Sequence, residues 1–290
     1  MRTILVLAVL AAGAGWFLTI PETVSEDDVA GLAGDPVAGE SIFHAAGCAS
    51  CHAAEGATGD AKLVLAGGRR FPSDFGTFIA PNISSDTTQG VGAWSDLDLI
   101  TAIVEGTSPD GQHYYPAFPY PAYGKADLSD VVDLVAYMRT LPADATPSVP
   151  HEVAFPFNVR RGLGLWKILY ADQGWALEDP ASDQIARGRY LSEALAHCGD
   201  CHTPRNAIGG PLLDQWFQGA PVPGSATDRF PAINAAELPW SEGDIAYYLE
   251  TGFTPDFDSA GGHMVDVIEN MAKLTEEDRA AIAAYVLAIP

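Results

Sequence analysis

The chain has 290 residues, 48% of them hydrophobic and 18% charged, which is enough for two ordinary cores and too apolar for a disordered chain. Its 38 acidic residues outnumber 15 basic ones, for a formal charge of −23. That balance excludes nucleic acid and an anionic bilayer surface as electrostatic partners, since both require clustered Lys and Arg; a protein with a basic docking surface is expected instead, although surplus acid also simply keeps an exported chain soluble.

The first predicted element is the uncharged, largely apolar run over residues 4–20 behind Arg2, the order of an export signal. Residues 1–21 are expected to stay as an uncleaved anchor, a transmembrane helix in the bacterial cytoplasmic (inner) membrane, because Trp16, Phe17, Leu18 and Ile20 extend the run past the small residues at 11–15. Cleavage at that small-residue cluster is the alternative. Either way the rest of the chain is expected in the periplasm.

Gly39-Glu40-Ser41-Ile42-Phe43 then reads as a short helix ahead of Cys48-Ala49-Ser50-Cys51-His52. After Ala80-Pro81-Asn82-Ile83 and Trp94-Ser95 comes a helix over residues 97–105 stopped by Gly106, then the loop from Tyr114 to Tyr120 around Phe118, then a last helix capped by Ser129 and ended before Pro142. Pro147, Pro150 and Pro156 mark an extended linker, followed by a short helix within residues 158–170. Arg160, Arg161 and Lys167 there are expected to anchor the linker to the acidic units rather than to dock a partner. The series then repeats with Gly188, Cys198-Gly199-Asp200-Cys201-His202, Trp240-Ser241, a helix over residues 243–250, the loop Gly261-Gly262-His263-Met264 and a last helix capped by Thr275. Trp94 and Trp240, Gly106 and Gly252, and Asp110 and Asp256 are each 146 residues apart. The expected fold is all-α: two tandem domains over residues 34–142 and 183–290, joined by a linker over 143–182 and preceded by the transmembrane helix.

Every cysteine of the chain lies in one of the two C-x-x-C-H words. Two thiols one helical turn apart can both reach the vinyl groups of a haem as thioethers, and the adjacent histidine then sits beneath the iron as its proximal ligand. The words predict two covalently bound haem c groups, held by Cys48, Cys51 and His52 and by Cys198, Cys201 and His202. A thioredoxin-type redox pair, a zinc site and structural disulfides are poorer readings, because a thioredoxin motif has no reason for a histidine after both pairs and a Cys₄ zinc site would have to join pairs 150 residues apart. A second axial ligand, often methionine, closes a haem used for electron transfer. Met264 is expected to supply it in the second unit, with Met271 and His263 as alternatives. The residue 146 positions before Met264 is Phe118, which cannot ligate iron. The first haem therefore has another sixth ligand, with His113, His44 and Tyr115 as candidates, or none; Met138 reads as a core residue.

With the two C-x-x-C-H words, Ala80-Pro81-Asn82-Ile83, Tyr115-Pro116-Ala117-Phe118-Pro119-Tyr120, Cys201-His202-Thr203-Pro204-Arg205 and Ala283-Ala284-Tyr285, the chain resembles the multihaem cytochrome c subunits of membrane-bound alcohol and gluconate dehydrogenases and related dihaem cytochromes. The resemblance implies class I cytochrome c-like domains, and an electron carrier rather than an enzyme. Electrons would pass from a periplasmic donor, a dehydrogenase among them, to another cytochrome or a terminal oxidase. It also implies that the carbonyls of Pro81 and Pro231 orient the proximal histidines, where a plain turn proline is the other reading. In the alcohol dehydrogenase type the loop holding Phe118 carries methionine, and those subunits commonly carry three haems, so this chain departs from the pattern twice. The first departure favours the alternative function, a peroxidase-like haem enzyme or small sulfur-compound oxidoreductase working at an open first iron.

Overall fold

The computed structural model describes residues 2–290. The first helix, α1 (Arg2–Leu18), has 17 residues and so reaches roughly 25 Å, against roughly 30 Å for the hydrocarbon core of a bilayer. Among the described residues no helix is long and apolar enough to cross a membrane, and the expected N-terminal transmembrane helix is corrected accordingly. The physical reason lies at its end. Thr19 and Ile20, counted in the apolar run, leave the helix: the Thr19 hydroxyl bonds back to the Gly15 carbonyl at 2.7 Å, Arg161 caps the Trp16 carbonyl, and Pro21 follows. Met1, part of the same expectation, lies outside the described residues.

Two units of short helices follow. In the first, α2 (Pro36–Ala45) leads into α3 (Cys48–His52), then α4 (Asp96–Glu105), α5 (Tyr120–Tyr123) and α6 (Leu128–Met138). After the connecting α7 (Leu163–Tyr170), the second unit has α8 (Asp183–Arg189), α9 (Gly199–His202), α10 (Glu242–Thr251), α11 (Met264–Met271) and α12 (Glu276–Ala288). Departures from the all-α expectation are small antiparallel ladders, β1 (Arg70–Ser73) with β2 (Gly76–Ile79) and β3 (Ala220–Pro221) with β4 (Arg229–Phe230), at matching places in the two units.

In each unit the first helix crosses the last at a glycine. A Cβ on Gly39 would lie 1.9 Å from the Asp133 carbonyl oxygen, and one on Gly188 would lie 1.8 Å from that of Ala281, so the backbones approach as only glycine allows. The middle helices α4 and α10 start from identical capping boxes, Ser95 with Asp98 and Ser241 with Asp244, and end at Gly106 and Gly252 in the left-handed conformation. One difference interrupts the match. From Gly188 to Cys198 there is one residue more than from Gly39 to Cys48, and the extra residue is absorbed as a π-helical turn over Tyr190–Leu195. The turn points Glu193 inward, where its carboxylate is fully buried and accepts from the Tyr285 hydroxyl at 2.6 Å, the Ala176 amide at 2.8 Å and the Lys125 amine at 3.2 Å. Glu193 thus joins α12, the linker and the first unit.

Candidate haem-binding sites

Both C-x-x-C-H words are built alike. In each, the motif histidine's carbonyl accepts from a glycine amide at 2.7 Å, Gly67 for His52 and Gly219 for His202. Its Nδ1 faces a proline carbonyl, Pro81 at 2.9 Å from His52 and Pro231 at 2.8 Å from His202. A carbonyl only accepts, so Nδ1 carries the proton and Nε2 keeps its lone pair for a metal. Burial lowers both histidine pKa values, opposed by those carbonyl bonds, which favours the neutral ligand form. The cysteines are unpaired, and burial pushes the Cys48 thiol up to about 12 and the Cys51 thiol up to about 11. Cys198 and Cys201 are likewise pushed up to about 12. This is the reverse of the lowered pKa that activates a redox C-x-x-C pair.

The donor set fits haem c: two thiols and an oriented imidazole per unit, and beside the second motif a buried indole N–H, that of Trp216, that lacks a partner. Trp216 lies against the second motif, where a Cβ on Gly199 would come within 2.1 Å of its ring. The matching pair in the first unit is Ala49 and Val64, so a smaller motif residue accompanies the larger wall residue.

The loops expected to carry the sixth ligands share one hydrogen-bond register. Ser108 N–H donates to Gln112 O, Tyr114 to Gly106 O, and Phe118 to Tyr115 O at 3.0 Å. Their counterparts are Thr254 to Asp258, Ala260 to Gly252, and Met264 to Gly261 at 3.2 Å. Phe118 and Met264 therefore occupy the same place in the fold, and both pack against the core at partial burial. Of the other candidates, His113 is buried with its Nε2 2.9 Å from the Thr19 carbonyl, and its Nδ1 has no partner. His44 bonds Asn270 Oδ1 at 3.2 Å, the Tyr115 hydroxyl donates to Phe157 O at 3.1 Å, and Met138 is buried in the core. Met271 is buried at the end of α11, while His263 is exposed with its ring 6.4 Å from that of Phe71.

The two sites adjoin. Tyr123 donates its hydroxyl to Ala46 O at 2.9 Å, just ahead of Cys48, and its ring meets that of His197, just ahead of Cys198, at 5.7 Å. Helix α11, which begins at Met264, is tied to the first motif: Asn270 Nδ2 donates to Ser50 Oγ at 2.9 Å, and Asp266 pairs with Lys62 at 2.8 Å and Arg69 at 2.7 Å. Arg69 also donates to the Ser50 carbonyl. Sequence reasoning missed Asn270, Asp266 and Glu193, whose partners are about 70 to 220 positions away; only Glu193 left a trace, in the extra residue before Cys198. Of the linker bases, Lys167 and Arg160 reach the first unit as the anchoring reading expects, whereas Arg161 holds the end of α1 instead. Lys167 donates to Gly106 O at 3.0 Å and to Glu105 O, Arg161 holds Thr19 Oγ1 at 2.9 Å, and Arg160 stacks 4.9 Å over Tyr115.

A family model described as cytochrome c matches residues 36–142. A protein of Cereibacter sphaeroides named "Diheme cytochrome c-type" is 50% identical over 286 residues, 99% of this chain and 96% of that one. The fructose dehydrogenase cytochrome subunit of Gluconobacter japonicus is 36% identical over 87% of this chain and 52% of its own length. The gluconate 2-dehydrogenase cytochrome c subunit of Pantoea cypripedii is 33% identical over 86% and 58%. The chain thus spans little more than half the length of these dehydrogenase subunits. It is an electron-transfer component rather than a catalytic enzyme, it carries two covalently bound haem c groups, and it belongs to the cytochrome c family.

Proposed function

We propose that the chain relays electrons between a periplasmic donor, of which a dehydrogenase is the leading kind, and another cytochrome or a terminal oxidase. Residues 34–142 hold one haem through Cys48, Cys51 and His52. Residues 183–290 hold the other through Cys198, Cys201, His202 and Met264, and residues 143–182 link the two. The haem irons supply the one-electron couples. The protein's part is to keep Nδ1–H of His52 and His202 on proline carbonyls, so that each Nε2 is aimed and neutral, and to bury both attachment segments. The observation that carries a relay is the shared Tyr123, which packs between the two attachment segments. The apolar α1 supports export, and the formal charge of −23 supports a redox partner with a basic surface.

Reductive titration of the purified holoprotein, with pyridine haemochrome analysis, tests this. Two c-type haems per chain and two one-electron steps are expected, and Cys198→Ala with Cys201→Ala should leave one of each. A chain in which only one haem changes redox state would overturn the relay.

A further inference from the structure

We infer that the first haem iron keeps an open sixth position that takes a small π-acceptor ligand of the carbon monoxide or nitric oxide class when reduced. This rests on the haem-ligand reading above and extends it. The loop register makes Phe118 the structural equivalent of Met264, and a phenyl ring offers no lone pair. His113 directs its Nε2 to Thr19, and Met138 belongs to the core. Phe118 is surrounded by Tyr114, Tyr123 and Tyr120, with ring centroids 6.0, 5.8 and 6.5 Å away. Tyr123 in turn abuts the first motif through Ala46.

The test is spectroscopic, on the purified dihaem protein. One ferric haem should be high-spin and one low-spin, and the ferrous protein should bind one carbon monoxide per two haems. Phe118→Met should close the site: carbon monoxide binding is lost and a second methionine-to-iron charge-transfer band appears. His113→Ala should change neither. Two low-spin haems with no carbon monoxide binding would overturn the inference, as would a site that opens only in His113→Ala. The pyridine haemochrome count separates this failure from failure of the haem reading itself, since it stays at two whatever the sixth ligand.

A second inference comes from what covers the loops. In the first unit Thr101, Thr107 and His113 are 6%, 0% and 2% exposed, roofed by residues 19–24 and α7: Val24 N–H bonds Thr101, Thr19 O bonds His113, and Lys167 reaches the end of α4. The equivalents 146 residues on are Tyr247, Phe253 and Ser259, all exposed, and Phe257 is 93% exposed. Asp244, Tyr247, Phe253, Thr254, Pro255 and Phe257 line one shallow groove, with Asp256 and Asp258 exposed beside it. The geometry points to this face as the docking site for a redox protein that presents a basic side chain to the exposed Asp256 and Asp258, as Lys167 of α7 caps the equivalent end of α4. Stopped-flow electron exchange with a lysine-rich class I cytochrome c tests it. Phe257→Ser, at a fully solvated position, should lower the second-order rate constant about tenfold without moving either haem potential, and Asp256→Asn with Asp258→Asn should flatten its salt dependence. An unchanged rate constant would overturn the inference, as would a loss on changing the exposed Leu165 and Ile168 of α7 instead. A wild-type dimer in sedimentation that Phe257→Ser dissolves would overturn it too, by making a second copy the occupant.

Discussion

The end of α4 is roofed while the end of α10 is bare, although capping boxes, terminal glycines and loop hydrogen bonds coincide. Two copies of one scaffold have kept the backbone and diverged in what lies on it. The parts that attach a haem covalently and orient its proximal histidine are the parts that stayed: motif, glycine–carbonyl bond and proline carbonyl, together with the glycine crossing. The parts that differ, Phe118 against Met264 and Thr107 against Phe253, lie in the loop that faces the sixth position and in what covers it. Within a repeat, the differences carry the functional information.

The most complete way to break the comparison is to turn the second loop into the first. Met264→Phe should abolish the methionine-to-iron band entirely and raise carbon monoxide uptake from one to two per chain. The haem count should stay at two, because the thioethers are untouched. Retention of a low-spin second haem in this variant would transfer the ligand role to Met271 or His263.

The shared crossings come next. Gly→Ala inside a helix ordinarily stabilises by roughly 1 kcal/mol, but at Gly39 and Gly188 the new methyl meets a carbonyl oxygen at under 2 Å. Each substitution should cost more than about 3 kcal/mol, the upper range for overpacking, because the obstacle is backbone and cannot rotate away. Denaturant melts of the two variants should give equal losses; a neutral result at either would mean that the crossing differs between units. Smaller still is Gly199→Ala, expected to cost about 2 kcal/mol because Trp216 can shift in part. The pair change with Trp216→Val should recover most of it by copying Ala49 and Val64, which a double-mutant cycle would read as coupling.

The sequence made the attachment residues and the repeat legible because covalent chemistry and glycine crossings tolerate few substitutes. At α1 the apolar run overstates the helix, because Thr19 is committed to Gly15 and His113. The sequence had no means of finding Asn270 or Glu193. Their roles exist only once α11 and the π-helical turn are packed against the first unit, and a one-residue excess before Cys198 does not say which side chain turns inward.

The roof over α4 also titrates. Burial lowers the Lys167 amine from 10.5 to about 8, against the opposing pull of Glu105 and Glu22. Its folded pKa lies below its unfolded one, so between about pH 8 and 10.5 the unfolded chain binds a proton that the folded chain does not. Stability therefore rises with pH across that window and carries a penalty below it. Lys167→Met keeps the stem and removes the titration. The variant should lose this rise while keeping α7 in place through Trp166, whose indole donates to Ile208 O at 3.0 Å. No equivalent lysine reaches the bare end of α10 among the described residues, so the variant makes the two helix ends electrostatically alike without uncovering the first. If the pH dependence persists in Lys167→Met, the amine is solvated and the roof is held by packing alone.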